Sequence, residues 1–272
     1  MKKLVFGILA GSFLLIGCSK NPITGRKQTL LFQESEMIAM SDTAYENFLR
    51  ENRNKVLPQT DPRAAKITLI GNKLKVAVEK HLANIGASDR VEGFGWEYNT
   101  IEDPTVNAWC MPGGKIVFYT GIMQLMETDD EIAVVMGHEI AHAIARHGNE
   151  RMSQAYVLQG ATSVAQVAVM GEDDPSTKDA ILLQSIGIGG QLGIMSFGRK
   201  QELEADEMGL IFMNIAGYDP YQAIGFWKKM SEQGGVKPPE FLSTHPSDER
   251  RIKEIEELLI EMEISGKLKK KG

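Results

Sequence analysis

Thr128-Asp129-Asp130-Glu131, followed within seven residues by His138-Glu139-Ile140-Ala141-His142, decides more of this fold than any other stretch of the 272-residue chain. Thr followed three residues later by Glu is a capping box, so a helix opens here and is expected to run to about Met152. Four residues advance a helix by about 400°, which stacks His138 and His142 on one face. Two imidazoles at that spacing can ligate one zinc at about 2.0–2.1 Å each. Glu139, beside the first histidine, is positioned to take a proton from water as a general base.

A catalytic zinc needs a third protein ligand and one open position. The metzincin arrangement requires Gly three residues and His six residues after the second ligand. Ala145 and Gly148 stand there, which excludes it. His147 lies about 900° from His138 on the same helix and is expected on the opposite face, at the surface or the helix end. A carboxylate from another helix is the other solution. Glu202-Leu203-Glu204-Ala205-Asp206 offers Glu202 and Asp206 on one face. Glu202 would then complete the site, and Asp206 would hold a ligand imidazole by its other nitrogen. Glu204, about 200° from Glu202, is the competing ligand.

Outward from these helices the pattern is mainly α (α+β). Helices are expected over Glu34–Arg50, from Asp61-Pro62 to about Ile85, over Gln159–Met170 and Lys200–Ala216, from Asp219-Pro220 to Met230, and after a cap at Ser247. Val91–Glu102 reads as strand, and Val106–Met111 and Lys115–Tyr119 form a hairpin around Pro112-Gly113-Gly114. Ala180–Gly198 carries no charge over nineteen residues, the length of a membrane span, but its five glycines favour a buried or lid-like helical stretch. With 43% hydrophobic and 24% charged residues the chain is globular. Its net charge of −6 argues against nucleic acid as a partner. Two cysteines exclude a disulfide framework, and Cys110 is expected buried and free.

At the start, Met1-Lys2-Lys3 and the apolar run Leu4–Ile16 read as a signal peptide over 1–17. Leu15-Ile16-Gly17-Cys18 resembles the lipobox of bacterial lipoproteins. That resemblance implies cleavage before Cys18, acylation of Cys18 (palmitate among the chains) and a lipid anchor in a membrane leaflet. Ser19 in place of Asp implies the outer membrane, facing the periplasm. The expected organisation is a lipidated N-terminus and tether over 18–32, one domain over 33–265 and a basic tail over 266–272.

His138-Glu139-Ile140-Ala141-His142-Ala143-Ile144-Ala145-Arg146-His147, followed by Glu202-Leu203-Glu204-Ala205-Asp206, resembles gluzincin family 48 of the metallopeptidases. That family includes the CAAX prenyl endoprotease, a heat-shock protease of bacterial inner membranes and the mitochondrial overlapping-activity protease. Asn21–Gln28 is similar to the leader of its lipoprotein members. The resemblance implies a zincin-type domain with one Zn2+ held by His138, His142 and Glu202, Glu139 as base and Asp206 steadying a ligand. Asn107-Ala108-Trp109 resembles the family's cleft strand, which implies pairing with an extended peptide. Ser243-Thr244-His245-Pro246, with Arg250 after it, resembles the family's late H-P…R segment. His245 then stabilises an oxyanion, fills the open zinc position when substrate is absent, or merely opens a helix. The implied activity is hydrolysis of peptide bonds in unfolded, misfolded or damaged envelope proteins. The alternatives are a chaperone or assembly lipoprotein that holds outer-membrane clients with little cleavage, which the intact Glu139 disfavours, and hydrolysis of a non-peptide amide.

Overall fold

A computed structural model of the chain describes residues 18–166, 197–233, 239–245 and 249–268. The expected signal peptide, the last four residues of the helix expected over 159–170, all but the last two residues of the uncharged stretch 180–198, Pro246, Ser247 and the final four lysine-rich residues lie outside them.

Pro62 opens the first long core helix in the manner its sequence dictates. The Asp61 carboxylate accepts from the Arg63 amide at 2.8 Å, and proline occupies the first turn, where no amide is needed. The helix runs Pro62–Asn84 (α2) and buries Ile67, Ile70, Leu74, Ala77, Val78 and Leu82, the stripe its 3.6-residue period requires. Before it come strands Cys18–Lys20 (β1) and Lys27–Thr29 (β2) and helix Glu34–Glu51 (α1). Strands Glu97–Ile101 (β3), Ala108–Met111 (β4) and Lys115–Tyr119 (β5) follow α2. Then come helices Asp129–Ile144 (α3), His147–Gln166 (α4), Arg199–Ile215 (α5), Gln222–Glu232 (α6) and Glu249–Ile264 (α7). None of the described helices is long and apolar enough to cross a membrane.

The sheet order is β3-β5-β4, with β3 parallel and β4 antiparallel to β5. Both faces are covered, so β4 and β5 read as nearly continuous apolar runs. Ala108, Cys110, Ile116 and Phe118 pack toward α3, whereas Trp109, Met111 and Val117 pack with Met37 and Tyr45 of α1. The mainly helical domain with a small sheet is the fold class expected of a zincin-type α+β domain.

Helix α3 is buried all round from Ile132 to Ile144 and forms the axis of the domain. Thr128 caps it, accepting from the Glu131 amide, and Glu131 returns the bond to the Glu127 amide. It stops at Ile144 rather than continuing to Met152. Arg146 takes φ 60°, the one positive φ of a non-glycine among the described residues, and α4 starts afresh at His147. A left-handed residue cannot continue a right-handed helix, so the expected single helix is two.

Helix α5 crosses α3 at backbone contact. A Cβ on Gly209 would sit 2.9 Å from the His138 amide nitrogen and 3.0 Å from the Gly137 carbonyl carbon. Gly209→Ala is expected to destabilise the fold by about 1–2 kcal/mol in urea unfolding, because overpacking outweighs the better helix propensity of alanine.

Residues 18–32 are not a loose tether. β1 and β2 pair antiparallel, with Ser19 opposite Gln28, and Asn21 and Gln28 are buried. Gln28 donates to the Ala145 carbonyl at 2.5 Å, the Leu31 amide to Ser153 Oγ at 2.8 Å, and Asn149 to the Phe32 carbonyl at 2.9 Å. Gln28 thereby satisfies a carbonyl left open at the α3–α4 break, while Ser153 and Asn149 of α4 satisfy backbone groups of the segment, which fixes it on the domain.

Candidate metal centre

The α3–α5 crossing brings two pairs of side chains face to face: His138 and His142 from α3, Glu202 and Asp206 from α5. The short helical turn Glu240–Thr244 adds His245, which ends it. One ligand atom from each of His138, His142, Glu202 and His245 falls within 4.8 Å of the others, and all four residues are buried.

The separations within this group are tight. His138 Nε2 lies 3.0 Å from His142 Nε2 and 3.2 Å from His245 Nδ1. Glu202 Oε1 lies 3.1 Å from His245 Nδ1 and 3.4 Å from His142 Nε2, and its Oε2 lies 3.5 Å from His138 Nε2. Ligands about 2.0–2.1 Å from a tetrahedral metal stand roughly 3.3 Å apart, so the group has the dimensions of a metal site.

The outer nitrogens agree with that use. His138 Nδ1 is 2.9 Å from Asp206 Oδ1, and His142 Nδ1 is 2.8 Å from His147 Nδ1. Both Nε2 atoms are therefore turned inward. Glu139, on the same helix, presents a buried Oε1 with no hydrogen bond among the described residues, 3.5 Å from His245 Nε2. Burial raises the Glu139 carboxyl above its ordinary range, partly offset by His245 and His138. Burial would also raise Glu202, but its surroundings of His245, Arg251, His138 and His142 hold it well below the carboxylate range. Burial keeps His142 neutral. An anionic carboxylate and a neutral imidazole are the forms that bind a metal.

Arg251 on α7 completes the anionic side. Its Nη1 lies 2.8 Å from Glu202 Oε2, while Nη2 and Nε lie 2.8 and 2.9 Å from the two Asp206 oxygens. The guanidinium stacks 3.9 Å above the Trp227 ring. The arginine singled out from the sequence was Arg250, which instead lies exposed and pairs with Glu254. Helical register carried the missed signal: Arg251 precedes Ile255 and Leu259 by four and eight residues, on the buried face.

Two other positions are corrected. His147 is wholly buried, because the break at Arg146 re-aims it toward His142. Glu204 stands outside the cluster; its oxygens accept from His147, Asn21, Thr24 and Arg26.

Asn107, Ala108 and Trp109 are buried at and just before the start of β4, the outer strand of the sheet among the described residues. The Asn107 side chain accepts from the Ala108 amide at 2.9 Å and donates to Glu240 at 3.1 Å. Trp109 packs edge-on against Tyr45 and Phe48. The Phe241 amide donates to the Val106 carbonyl at 3.1 Å, tying this edge to the turn that carries His245. Cys110 is buried and free.

The chain is 30% identical over 264 residues to mitochondrial metalloendopeptidase OMA1 of Saccharomyces cerevisiae, covering 91% of this chain and 73% of that protein. It is 27% identical to the protein of the same name from Arabidopsis thaliana, covering 90% of this chain and 63% of that one. The beta-barrel assembly-enhancing protease of Escherichia coli is 29% identical over 156 residues, 56% of this chain and 32% of its own. The family model for Peptidase family M48 matches residues 71–259, a span that takes in every side chain of the cluster and Arg251. By that match the chain belongs to peptidase family M48.

Proposed function

We propose that this protein is a zinc-dependent endopeptidase, anchored to the outer membrane through a lipid on Cys18 and acting in the periplasm on unfolded or damaged envelope proteins. The convergence of two inward Nε2 atoms and an ionised Glu202, with both outer nitrogens engaged elsewhere, carries the reading. His138, His142 and Glu202 would hold the zinc, while Asp206 fixes the His138 ring and Arg251 fixes both carboxylates. Zinc, when bound, supplies a Lewis acid for the scissile carbonyl and acidifies water. Glu139 Oε1 takes the proton from the attacking water and passes it to the leaving amine nitrogen. Its raised pKa suits both halves of that transfer. Extended substrate would pair along Asn107, Ala108 and Trp109, chiefly through the Ala108 backbone once the Asn107 side chain releases it.

Envelope clients are supported by the lipobox-like Leu15–Cys18 and by the likeness to the beta-barrel assembly-enhancing protease of Escherichia coli. Removing the metal from the mature chain with a chelator is expected to abolish cleavage of an unfolded protein, and zinc to restore it. Cleavage that survives stoichiometric metal removal would sink the metallopeptidase reading. Acylation is checked by mass spectrometry of the mature N-terminus, which must show a lipid on Cys18.

His245 closes the fourth corner of the group and stacks on Phe241, with ring centroids 4.7 Å apart. We infer that His245 would serve as a further ligand to a bound zinc at rest, which favours a protease that holds clients with little cleavage. His245→Ala is expected to raise peptide turnover by about tenfold, the equivalent of roughly 1.4 kcal/mol in barrier. A large fall in kcat would assign it to the oxyanion instead.

A further inference from the structure

Behind His142 runs a line of buried polar side chains that ends in the N-terminal segment. His142 Nδ1 meets His147 Nδ1 at 2.8 Å, and His147 Nε2 meets Glu204 Oε2 at 2.8 Å. Arg26 Nε donates to the same Glu204 oxygen at 2.5 Å, and its Nη1 and Nη2 donate to the two Glu150 oxygens at 2.8 and 2.7 Å. Asn21 Nδ2 and the Thr24 hydroxyl donate to Glu204 Oε1. His147, Glu204 and Glu150 are all buried.

The protons in this line have one arrangement that suits a metal. Glu204 accepts from Arg26 and Asn21, which are pure donors there, so it is a carboxylate and His147 Nε2 carries the hydrogen facing it. A neutral His147 then offers a lone pair at Nδ1. His142 must donate to it from its own Nδ1, which leaves the His142 Nε2 lone pair free and pointed at Glu202 and His138. Reversing the His142–His147 bond would put a proton on His142 Nε2 and remove it as a ligand.

We propose that His147 and Glu204 are positioning residues that lock His142 in its metal-binding tautomer, and that Arg26 makes the N-terminal segment 21–28 a working part of the metal centre. This rests on the zinc reading above. It also gives the polar run Asn21-Pro22-Ile23-Thr24-Gly25-Arg26 a chemical task that is separate from anchoring. Removing Arg26 leaves Glu150 and Glu204 buried without their shared cation, so the relay loses its fixed end.

The test is zinc affinity of the full chain, read by competition with a chromophoric chelator, together with imidazole 15N NMR of the zinc-loaded parent. His147→Phe keeps the ring volume and removes both hydrogen bonds; it is expected to weaken zinc binding by about 10–100-fold, the range typical of lost ligand-orienting partners. His147→Asn, whose amide oxygen can accept the same His142 proton, is expected to recover most of that loss. Arg26→Met is expected to weaken binding in the same direction. The NMR spectrum, which needs no variant, should show His142 protonated at Nδ1. Parent-like zinc affinity in folded His147→Phe, or a His142 ring unprotonated at Nδ1, would overturn the relay while the zinc site stands. A parent that takes up no zinc would overturn both.

Discussion

Glu139→Gln is expected to lower peptide hydrolysis by about 10²–10⁴-fold at unchanged metal content, the usual contribution of a positioned general base. The substitution keeps the shape of the side chain and removes its ability to accept a proton. Its Oε1 has no hydrogen bond among the described residues, with His245 Nε2 3.5 Å away, and the four clustered ligand atoms belong to other side chains. Folding stability should not fall, since a neutral amide is easier to bury than a carboxylate whose pKa burial already raises. Steady-state cleavage of an unfolded protein, with elemental analysis on the same samples, separates lost chemistry from lost metal. Equal cleavage by parent and variant would place the activity at another site.

Arg251→Met is expected to destabilise the folded chain by about 3–5 kcal/mol, the range found when one partner of a buried ion pair is removed. Glu202 and Asp206 would remain side by side in the interior without their shared cation. Both carboxyls are held below their ordinary values in the parent, through Arg251 among other groups, although burial alone would raise them. A carboxylate with a depressed folded pKa contributes stability above its unfolded value near 4 and loses it as pH falls through the folded value. The deficit of the variant should therefore be greatest near neutral pH and shrink in acid, where its carboxyls protonate. Bound zinc would partly compensate by supplying charge to Glu202, so chelated protein should show the larger loss. Urea unfolding at several pH values, with and without chelator, measures all three effects. The neighbouring Arg250→Met, exposed beside Glu254, should stay within about 0.5 kcal/mol.

The helical part of this fold was legible because burial repeats every 3.6 residues: the stripe of α2 and the capped start of α3 both follow directly from residue spacing. His138, Glu139 and His142 were legible for the same reason, and Glu202 with Asp206 could be paired to them by their own four-residue spacing. What failed were readings that extrapolated through a change of direction. No glycine or proline stands at Arg146, yet the chain turns there at φ 60°, held by the Arg146 amide on the Ala143 carbonyl and by Gln28 on Ala145. A helical wheel carried past that point sends His147 to the surface. The parallel pairing of β3 with β5 is likewise set by long-range packing and has no local signature. Residues 18–32 read as a tether because the partners of Arg26, Glu150 and Glu204, lie well over a hundred residues away.

The folded β1–β2 hairpin would leave a lipid on Cys18 almost no leash. Its first strand begins at Cys18, and Asn21 is already locked to Glu204. If Cys18 carries the lipid, the few residues before Asn21 span only about 3.3–3.6 Å each, so the catalytic helix is held within roughly its own domain's width of the bilayer. An enzyme so anchored could not sweep the compartment for clients. Its working zone would be a thin shell over the membrane, and whatever it cleaved would have to come to that surface.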